Sequence, residues 1–339
     1  MPISKRTTSK FDLVLSHIQQ TYNSLEASGA ALMIIHNDEI AAEMYLGKHS
    51  NSLHAEPIQE NSQFHVASVR KSYIGLAVAH AIYHKMIHSV DDEIIKYLPD
   101  CQLEIFKGVT IKHLLTHTHG LRKIYGTISR EFALGEDWKY RRIGTELLTE
   151  IVEKATGETV AQIIQRNILE PLQLKETGWY GKPNNNLVKV LRDPHDLSWS
   201  WSSRTDGSQM NMYVSARDLA KWGYLHLKEG KINGQQIVPA KIIKMATSLQ
   251  TPRLLDSSLP RNGFFWFLQD FPSPKTELGE QIPIGSYQIL GYTGVALLVI
   301  PKHNLVAVRM FNRFGSPLEY NYLKDIRSFG NTIMTCLTQ

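Results

Sequence analysis

A serine and a lysine three positions apart, Ser68 and Lys71, have the side-chain types and spacing that nucleophilic catalysis needs. If this segment begins a helix, positions i and i+3 lie on one face and the two side chains can meet. A lysine amine that is partly desolvated near the positive end of a helix dipole has a lowered pKa, so it can accept the serine proton. The pair therefore predicts a serine nucleophile activated by a lysine base.

The residues that follow this pair predict a buried helix. From Tyr73 to Ile82 the only acidic or basic side chain is His80, and the apolar residues lie nearly all round a helical wheel. Such helices are buried inside large proteins, and this one is too short to span a bilayer. A chain of this length offers about one Ser-x-x-Lys by chance, so the match alone is weak. The Ser-x-x-Lys motif occurs only once in the sequence and stands at the start of the most apolar predicted helix, which favours a catalytic role.

Two histidine clusters raise the alternative of a metal site. His80, His84 and His88 are spaced at i, i+4 and i+8, and three further histidines lie at positions 113, 117 and 119. No acidic or cysteine residue stands at ligand spacing beside either cluster, so we predict no metal and no other cofactor. The sequence also lacks a Gly-x-Ser-x-Gly elbow and a phosphate-binding glycine loop. Their absence argues against an α/β-hydrolase and against nucleotide chemistry.

The composition is that of an ordinary globular protein, with 339 residues of which 42% are hydrophobic and 20% are charged. The net charge is +5, but the basic residues are scattered, with the densest cluster at 139–142, so we expect no nucleic-acid partner. Cys101 and Cys336 lie far apart without metal-ligand spacing, which predicts reduced thiols. No secretory signal or membrane span is visible, so we expect a cytoplasmic location, or an extracytoplasmic one if a leader has been removed.

Both ends of the chain have the pattern of a helix beside a β-hairpin. Near the N-terminus, the apolar spacing predicts a helix over 11–27, and apolar runs at 30–35 and 40–46 flank a turn. Near the C-terminus, runs at 295–300 and 305–311 are apolar enough to be strands covered on both faces. Ser316 and Glu319 form a capping box with a proline at the first helical position, which predicts that the C-terminal helix begins there.

These patterns predict an α/β (α+β) fold in which both termini build one antiparallel sheet flanked by helices. Between the termini, helices are predicted over the ranges 73–87, 110–115, 144–156, 160–167 and 216–227. We therefore expect a single domain, 1–339, with an α/β lobe formed by 1–67 and 205–339. Residues 68–204 are predicted to form an inserted, mostly helical lobe.

Four sequence blocks, in this order, resemble the family of class C β-lactamases and low-molecular-weight penicillin-binding proteins. They are the segment from Ser68 to Lys71 and the residues at 114–121, 144–157 and 213–220. The resemblance covers most of the chain and implies the β-lactamase/transpeptidase-like fold. In that fold an antiparallel sheet from both termini carries an inserted helical lobe, and the active site lies in the cleft between the lobes.

The resemblance also implies roles for individual residues. Ser68 would be the acylated nucleophile, Lys71 its proton acceptor, and Tyr140 the tyrosine of the family's Tyr-x-Asn motif. The segment Tyr292-Thr293-Gly294 would be the substrate-binding strand motif, which in the family begins with lysine or histidine. The oxyanion hole would be formed by the backbone N–H groups of Ser68 and Val295.

Two positions depart from the family's pattern. The chain reads Tyr140-Arg141-Arg142, so the asparagine that would hold a substrate amide is missing. Tyr292 stands where the family has a cation or an imidazole, so a donor to a substrate carboxylate is absent. Arg142 is a candidate to supply the lost charge from the opposite wall of the cleft. Both departures concern recognition of β-lactams and D-alanyl-D-alanine more than acyl transfer.

We therefore predict a serine hydrolase that works through an acyl-enzyme on a small-molecule or peptide-like substrate. The first hypothesis is a β-lactamase-like or penicillin-binding-protein-like hydrolase that acts on an amide or a β-lactam. The second is a carboxylesterase or small-amide hydrolase on the same scaffold, which the altered motifs favour. The third is a non-catalytic penicillin-binding or sensing protein that kept the fold and lost turnover.

Overall fold

Helices and strands follow one another along the whole chain, and the computed structural model describes residues 3–98, 104–196, 198–254, 256–271 and 273–338. The α-helices are α1 (Asp12–Ser24), α2 (Arg70–Tyr83), α3 (Ile111–Leu115), α4 (Ile143–Thr156), α5 (Val160–Ile164), α6 (Glu170–Leu172), α7 (Ala216–Leu227), α8 (Ala240–Thr247) and α9 (Tyr322–Thr338). The strands are β1 (Ser4–Lys5), β2 (Gly29–His36), β3 (Glu39–Gly47), β4 (Gln63–His65), β5 (Leu121–Ile124), β6 (Thr127–Arg130), β7 (Thr177–Trp179), β8 (Leu191–Arg192), β9 (Met212–Ser215), β10 (Lys231–Ile232), β11 (Gln235–Gln236), β12 (Phe267–Gln269), β13 (Ser286–Gly291), β14 (Val295–Ile300), β15 (Leu305–Phe311) and β16 (Arg313–Phe314).

The main sheet joins the two ends of the chain. Its strand order is β1-β3-β2-β15-β14-β13-β12, and each hairpin predicted from the sequence is present as β2–β3 and β14–β15. Strands β2 and β15 pair antiparallel from Ala30 opposite Phe311 to His36 opposite Leu305. The predicted sheet from both termini is confirmed. The short strand β1, which no sequence pattern predicted, pairs parallel with β3 and makes the sheet mixed.

Both faces of this sheet are covered, as the continuous apolar runs predicted. Successive side chains of a strand point to opposite faces. On β15, Val306 and Val308 belong to the core that the sheet shares with α2, α4, α5 and α7, whereas Leu305 and Ala307 belong to the core shared with α1 and α9. Because both faces are buried, nearly every residue of the strand is apolar, and its one charged residue, Arg309, is buried and paired with Asp325.

Helix α2 packs against α4, α5 and α8. Every residue from Arg70 to Ala79 is buried, which confirms the predicted buried helix, although it ends at Tyr83 rather than at residue 87. Gly75 permits this packing, because a Cβ at this position would lie 2.8 Å from the carbonyl oxygen of Phe264. The close approach anchors the helix whose first turn follows Ser68.

The C-terminal helix begins later than the sequence analysis predicted. The side chain of Asn321 accepts a hydrogen bond of 3.0 Å from the backbone N–H of Lys324, so Asn321 caps α9. The segment that starts at Ser316 instead makes a turn, in which the N–H of Tyr320 donates to the carbonyl of Pro317. The predicted capping box at Ser316 and Glu319 is therefore wrong, because a second good capping residue lies one turn further along.

The structure also bears on the predictions about cysteines, membrane spans and metal sites. Cys336 is a buried free thiol on α9, whereas Cys101 lies outside the described residues. Within the described ranges, no helix combines the length and the apolar character that crossing a membrane requires. The same ranges hold no group of three or more His, Cys, Asp or Glu side chains placed to bind a metal ion.

Candidate active site

Ser68 lies in a single turn of 3-10 helix, Ala67–Val69, immediately before α2. Ala67 has a φ of +44°, a left-handed conformation that is uncommon for a residue other than glycine. Backbone hydrogen bonds on both sides hold it there, from Val66 N–H to Met212 at 3.1 Å and from Val69 N–H to Val66 at 3.0 Å. Strained backbone of this kind persists where its surroundings over-determine it, and it is frequent at functional sites.

The side chains of Ser68 and Lys71 meet, as their spacing predicted. Lys71 Nζ lies 3.0 Å from Ser68 Oγ, and the lysine is only 4% exposed. Burial holds the pKa of Lys71 well below its ordinary value, and the positive charges of Arg70 and Arg142 lower this pKa further. A neutral amine beside the hydroxyl is therefore favoured, and a neutral amine can accept a proton.

The hydroxyl of Tyr140 lies 2.5 Å from Lys71 Nζ, so three functional groups form one hydrogen-bonded chain. Burial raises the pKa of Tyr140 to about 12, even though a hydrogen bond with Ser68 acts in the opposite direction. The phenol is then protonated at neutral pH. Lys71 is the better base of the two, and Tyr140 can both donate and accept a proton next to it.

The ring of His117 packs against the ring of Tyr140. The sequence analysis considered His117 only as a possible metal ligand. Its ring lies 4.4 Å from the ring of Tyr140, 5.6 Å from that of Trp138 and 5.4 Å from that of Phe265, measured between centroids. It is buried, and neither ring nitrogen has a hydrogen-bond partner among the described residues. Burial, with the nearby charge of Lys71, holds the pKa of His117 well below its ordinary value. The imidazole is thus a neutral packing surface.

The turn between β13 and β14 contacts the segment that precedes Ser68. The hydroxyl of Thr293 is buried and donates a 2.6 Å hydrogen bond to the carbonyl of His65. Gly291 is needed for this approach, since a Cβ there would lie 2.4 Å from the carbonyl oxygen of Val66. Thr293 therefore fixes the turn beside the nucleophile, and its hydroxyl is already engaged within the protein.

The remaining residues of this turn lie at the mouth of the site. Tyr292 is 58% exposed and packs edge-on against the ring of Phe314, with centroids 5.0 Å apart. Gly294 has a φ of +82°, which glycine adopts without strain, and its N–H donates to the carbonyl of Gly291. Val295 follows as the first residue of β14, opposite Gly291. The roles of Tyr292, Gly294 and Val295 towards a substrate stay predictions.

A cavity of about 430 Å³ opens beside Ser68. Its wall is mostly aromatic and aliphatic and is formed by Leu25, Ser68, Trp138, Tyr140, Phe267, Glu277, Leu290, Gly291, Tyr292, Gly294, Arg309, Gly315, Ser316, Tyr320 and Tyr322. Arg142 is not among the residues that line the cavity. Its Nε lies 2.9 Å from a carboxylate oxygen of Glu146, on an exposed part of the surface. The cavity is large enough for a small substrate.

Comparisons with known proteins agree with this architecture. An uncharacterized protein of Alkalihalophilus pseudofirmus is 55% identical over 337 residues, which is 99% of each chain. Among solved structures, "EstCE1, a hydrolase with promiscuous acyltransferase activity" superposes with a TM-score of 0.75 at 18% identity, over 95% of this chain and 98% of its own. "A class C beta-lactamase" superposes with a TM-score of 0.76 at 17% identity, over 96% of both chains. The Beta-lactamase family model matches residues 15–327, and the chain therefore belongs to the beta-lactamase family.

Proposed function

We propose that this protein is a serine hydrolase that forms an acyl-enzyme on Ser68. The observation that carries the proposal is the hydrogen-bonded chain of Ser68 Oγ, the buried Lys71 Nζ and Tyr140 OH, with separations of 3.0 and 2.5 Å. A hydroxyl becomes a nucleophile when an adjacent base removes its proton during attack. Lys71 is such a base, because burial lowers its pKa, and the cavity beside Ser68 is large enough for a substrate.

The reaction follows from these groups. Ser68 Oγ attacks the substrate carbonyl carbon while its proton passes to Lys71, and the backbone N–H groups of Ser68 and Val295 stabilise the oxyanion. Lys71 returns the proton through Tyr140 to the leaving alcohol or amine, which departs and leaves the acyl group on Ser68. A water molecule then attacks the acyl-enzyme, with the same groups accepting its proton. The products are a carboxylic acid and the free, unacylated enzyme.

Small esters are the substrates that this site favours. Tyr292 offers no positive charge for a substrate carboxylate, and Arg142, which is paired with Glu146, is not among the residues that line the cavity. The cavity wall is mainly apolar, so it suits acyl or alcohol groups without a carboxylate. A β-lactam hydrolase is the second candidate, supported by the shared fold of a class C β-lactamase. The solved hydrolase with acyltransferase activity supports the esterase assignment.

Mass spectrometry of the trapped intermediate tests the proposal. After brief exposure to nitrophenyl butyrate, or to a fluorescent penicillin, and acid quenching, we expect the protein mass to increase by one acyl group. Peptide mapping should locate the adduct on the peptide that contains Ser68, and Ser68→Ala should form none. An adduct on another residue, or an equal adduct on Ser68→Ala, would contradict the mechanism. A stable adduct without turnover would favour a non-catalytic binding protein.

Substitution of Tyr292 should change the choice of substrate. Tyr292→Lys or Tyr292→His restores a donor for a substrate carboxylate, and one charge-assisted hydrogen bond contributes about 1.5–3 kcal/mol, or roughly ten- to a hundredfold. We expect the ratio of kcat/KM for nitrocefin to that for nitrophenyl butyrate to rise by this factor. Tyr292→Phe is the matched control and should not raise it. Efficient cleavage of nitrocefin by the unchanged enzyme would show another carboxylate partner, and Arg142→Ala would then identify it.

A further inference from the structure

Glu277 is a carboxylate on the wall of the cavity that the acyl-transfer mechanism does not use. One of its oxygens, Oε2, is buried and has no hydrogen-bond partner among the described residues. Burial raises the pKa of Glu277 to about 7, against the opposing effect of Arg327. Burying an ionised carboxylate without a partner lowers the stability of the fold. Carboxyl groups with a shifted pKa that lie in a cleft are frequently functional.

The neighbouring arginines do not neutralise this carboxylate by contact. Arg327 directs its donors to the backbone carbonyls of Thr276, at 2.9 Å from Nε, and of Pro274. Arg309, which also lines the cavity, donates from Nη1 to Asp325 at 2.6 Å. Arg309 and Asp325 thus balance one another, and within the described residues Glu277 has no ion-pair partner.

Aromatic side chains make up much of the rest of the cavity wall. They are Trp138, Tyr140, Phe267, Tyr292, Tyr320 and Tyr322. Trp138 lies between two of the others, with its ring 6.2 Å from Tyr140 and 6.2 Å from Phe267, and its indole N–H is fixed by a 2.7 Å bond to Asn262. The faces of aromatic rings attract organic cations, and a carboxylate beside them adds a full opposite charge.

We propose that the cavity binds substrates that carry an organic cation, an alkylammonium group, with Glu277 as the counter-ion and the aromatic rings as its walls. This inference rests on the proposed function, because Ser68 lines the same cavity and a substrate bound there presents its ester to the nucleophile. The uncharged Tyr292 at the mouth fits it, since a lysine at this position would repel a cation. Glu277 is then a specificity residue that takes no part in bond breaking.

Two pairs of esters that differ only in charge test the proposal. In the first pair, nitrophenyl 4-(trimethylammonio)butyrate is compared with nitrophenyl 5,5-dimethylhexanoate, in which a tert-butyl group replaces the trimethylammonium group. In the second pair, choline butyrate is compared with 3,3-dimethylbutyl butyrate, so that the cation lies on the alcohol side. At pH 8, where the Glu277 carboxyl is ionised, we expect kcat/KM to favour the cationic ester of at least one pair by about tenfold.

The variant Glu277→Gln should remove most of this preference, because it keeps the shape and loses the charge. The exposed Glu280→Gln, three residues away, is the matched control and should keep the preference. The neutral ester serves as an internal reference, since a folding defect lowers both rates and leaves their ratio unchanged. Preference for the neutral ester in both pairs, or an equal preference in Glu277→Gln, overturns the proposal.

A binding measurement separates this inference from the catalytic mechanism. Isothermal titration of Ser68→Ala with phenyltrimethylammonium chloride needs no turnover, and we expect binding that Glu277→Gln weakens severalfold in the same background. If Ser68→Ala still hydrolysed esters, the proposed mechanism would fall while this binding result could stand. If the unchanged enzyme hydrolysed neutral esters through Ser68 and bound no cation, only the present inference would fall.

Discussion

Replacing Lys71 by arginine is expected to lower kcat/KM for ester hydrolysis by about a thousandfold, nearly as much as replacing it by alanine. Arginine keeps the positive charge but does not release a proton at any working pH, so it cannot serve as a base. Steady-state rates with nitrophenyl butyrate for Lys71→Arg and Lys71→Ala make the comparison. If the arginine variant kept most of the rate, lysine would act only as a fixed charge.

The pH profile provides an independent test of the same base. Lys71 must be neutral to act, so kcat/KM should rise with pH through the pKa of Lys71 and then level off. Burial and the charges of Arg70 and Arg142 lower this pKa, so the plateau should be reached well below the ordinary lysine range. Arg142→Ala removes one opposing charge and should move the rising limb to higher pH. The exposed Arg122→Ala should not move it.

Asp325→Asn is expected to destabilise the protein by about 3–5 kcal/mol, because it leaves a buried arginine without its counter-ion. Arg309 is 1% exposed, and its Nη1 lies 2.6 Å from Asp325, which also accepts a 2.6 Å hydrogen bond from Thr21. These contacts tie α1, β15 and α9 together. Thermal unfolding should show a melting temperature lower by about 6–10 °C, using roughly 2 °C per kcal/mol for a chain of this size.

The direction of the pH dependence follows from the pKa of Asp325. Burial alone would raise this pKa, but Arg309 and the hydrogen bond from Thr21 outweigh it and lower the pKa below the ordinary value. The stabilisation is therefore present above the ordinary pKa and is lost as the pH falls through the lowered one. The double variant Asp325→Asn, Arg309→Met removes both charges and should recover part of the loss. A double variant no more stable than Asp325→Asn would contradict an uncompensated charge as the cause.

The elements of the fold that local pattern specifies were predictable. The hairpins at both ends and the buried helix after Ser68 were predicted from runs of apolar residues. Buried strands and helices require apolar side chains, so these elements are visible in the sequence itself. Strand β1 was missed because its two residues, Ser4 and Lys5, are exposed and carry no apolar pattern. The start of α9 was misplaced because Ser316 and Asn321 are both good capping residues, and tertiary packing selects between them.

The site was predictable only where its residues are close in sequence. Ser68 and Lys71 share one helix face, so their contact follows from spacing alone. Tyr140 was identified through the family resemblance, and no local pattern specifies that its hydroxyl meets Lys71. Glu277 was missed because its significance depends on the lack of a partner for Oε2 among the described residues and on nearby aromatic side chains that come from other parts of the chain. The contact of Thr293 with substrate stays a prediction, and its hydroxyl donates a hydrogen bond to the carbonyl of His65, which no local sequence pattern specifies.

The pairing of β2 with β15 also has consequences for how the chain folds. About 270 residues separate the two strands, so closing this contact carries a high entropic cost and comes late. During synthesis the β2–β3 hairpin leaves the ribosome long before its neighbour exists, with an apolar edge that invites association with other chains. Helices α2, α4 and α5, which lie between the two strands in the sequence and pack against one another, can collapse in the meantime. We therefore expect refolding to show a slow last phase in which activity returns, and yield to improve at low protein concentration.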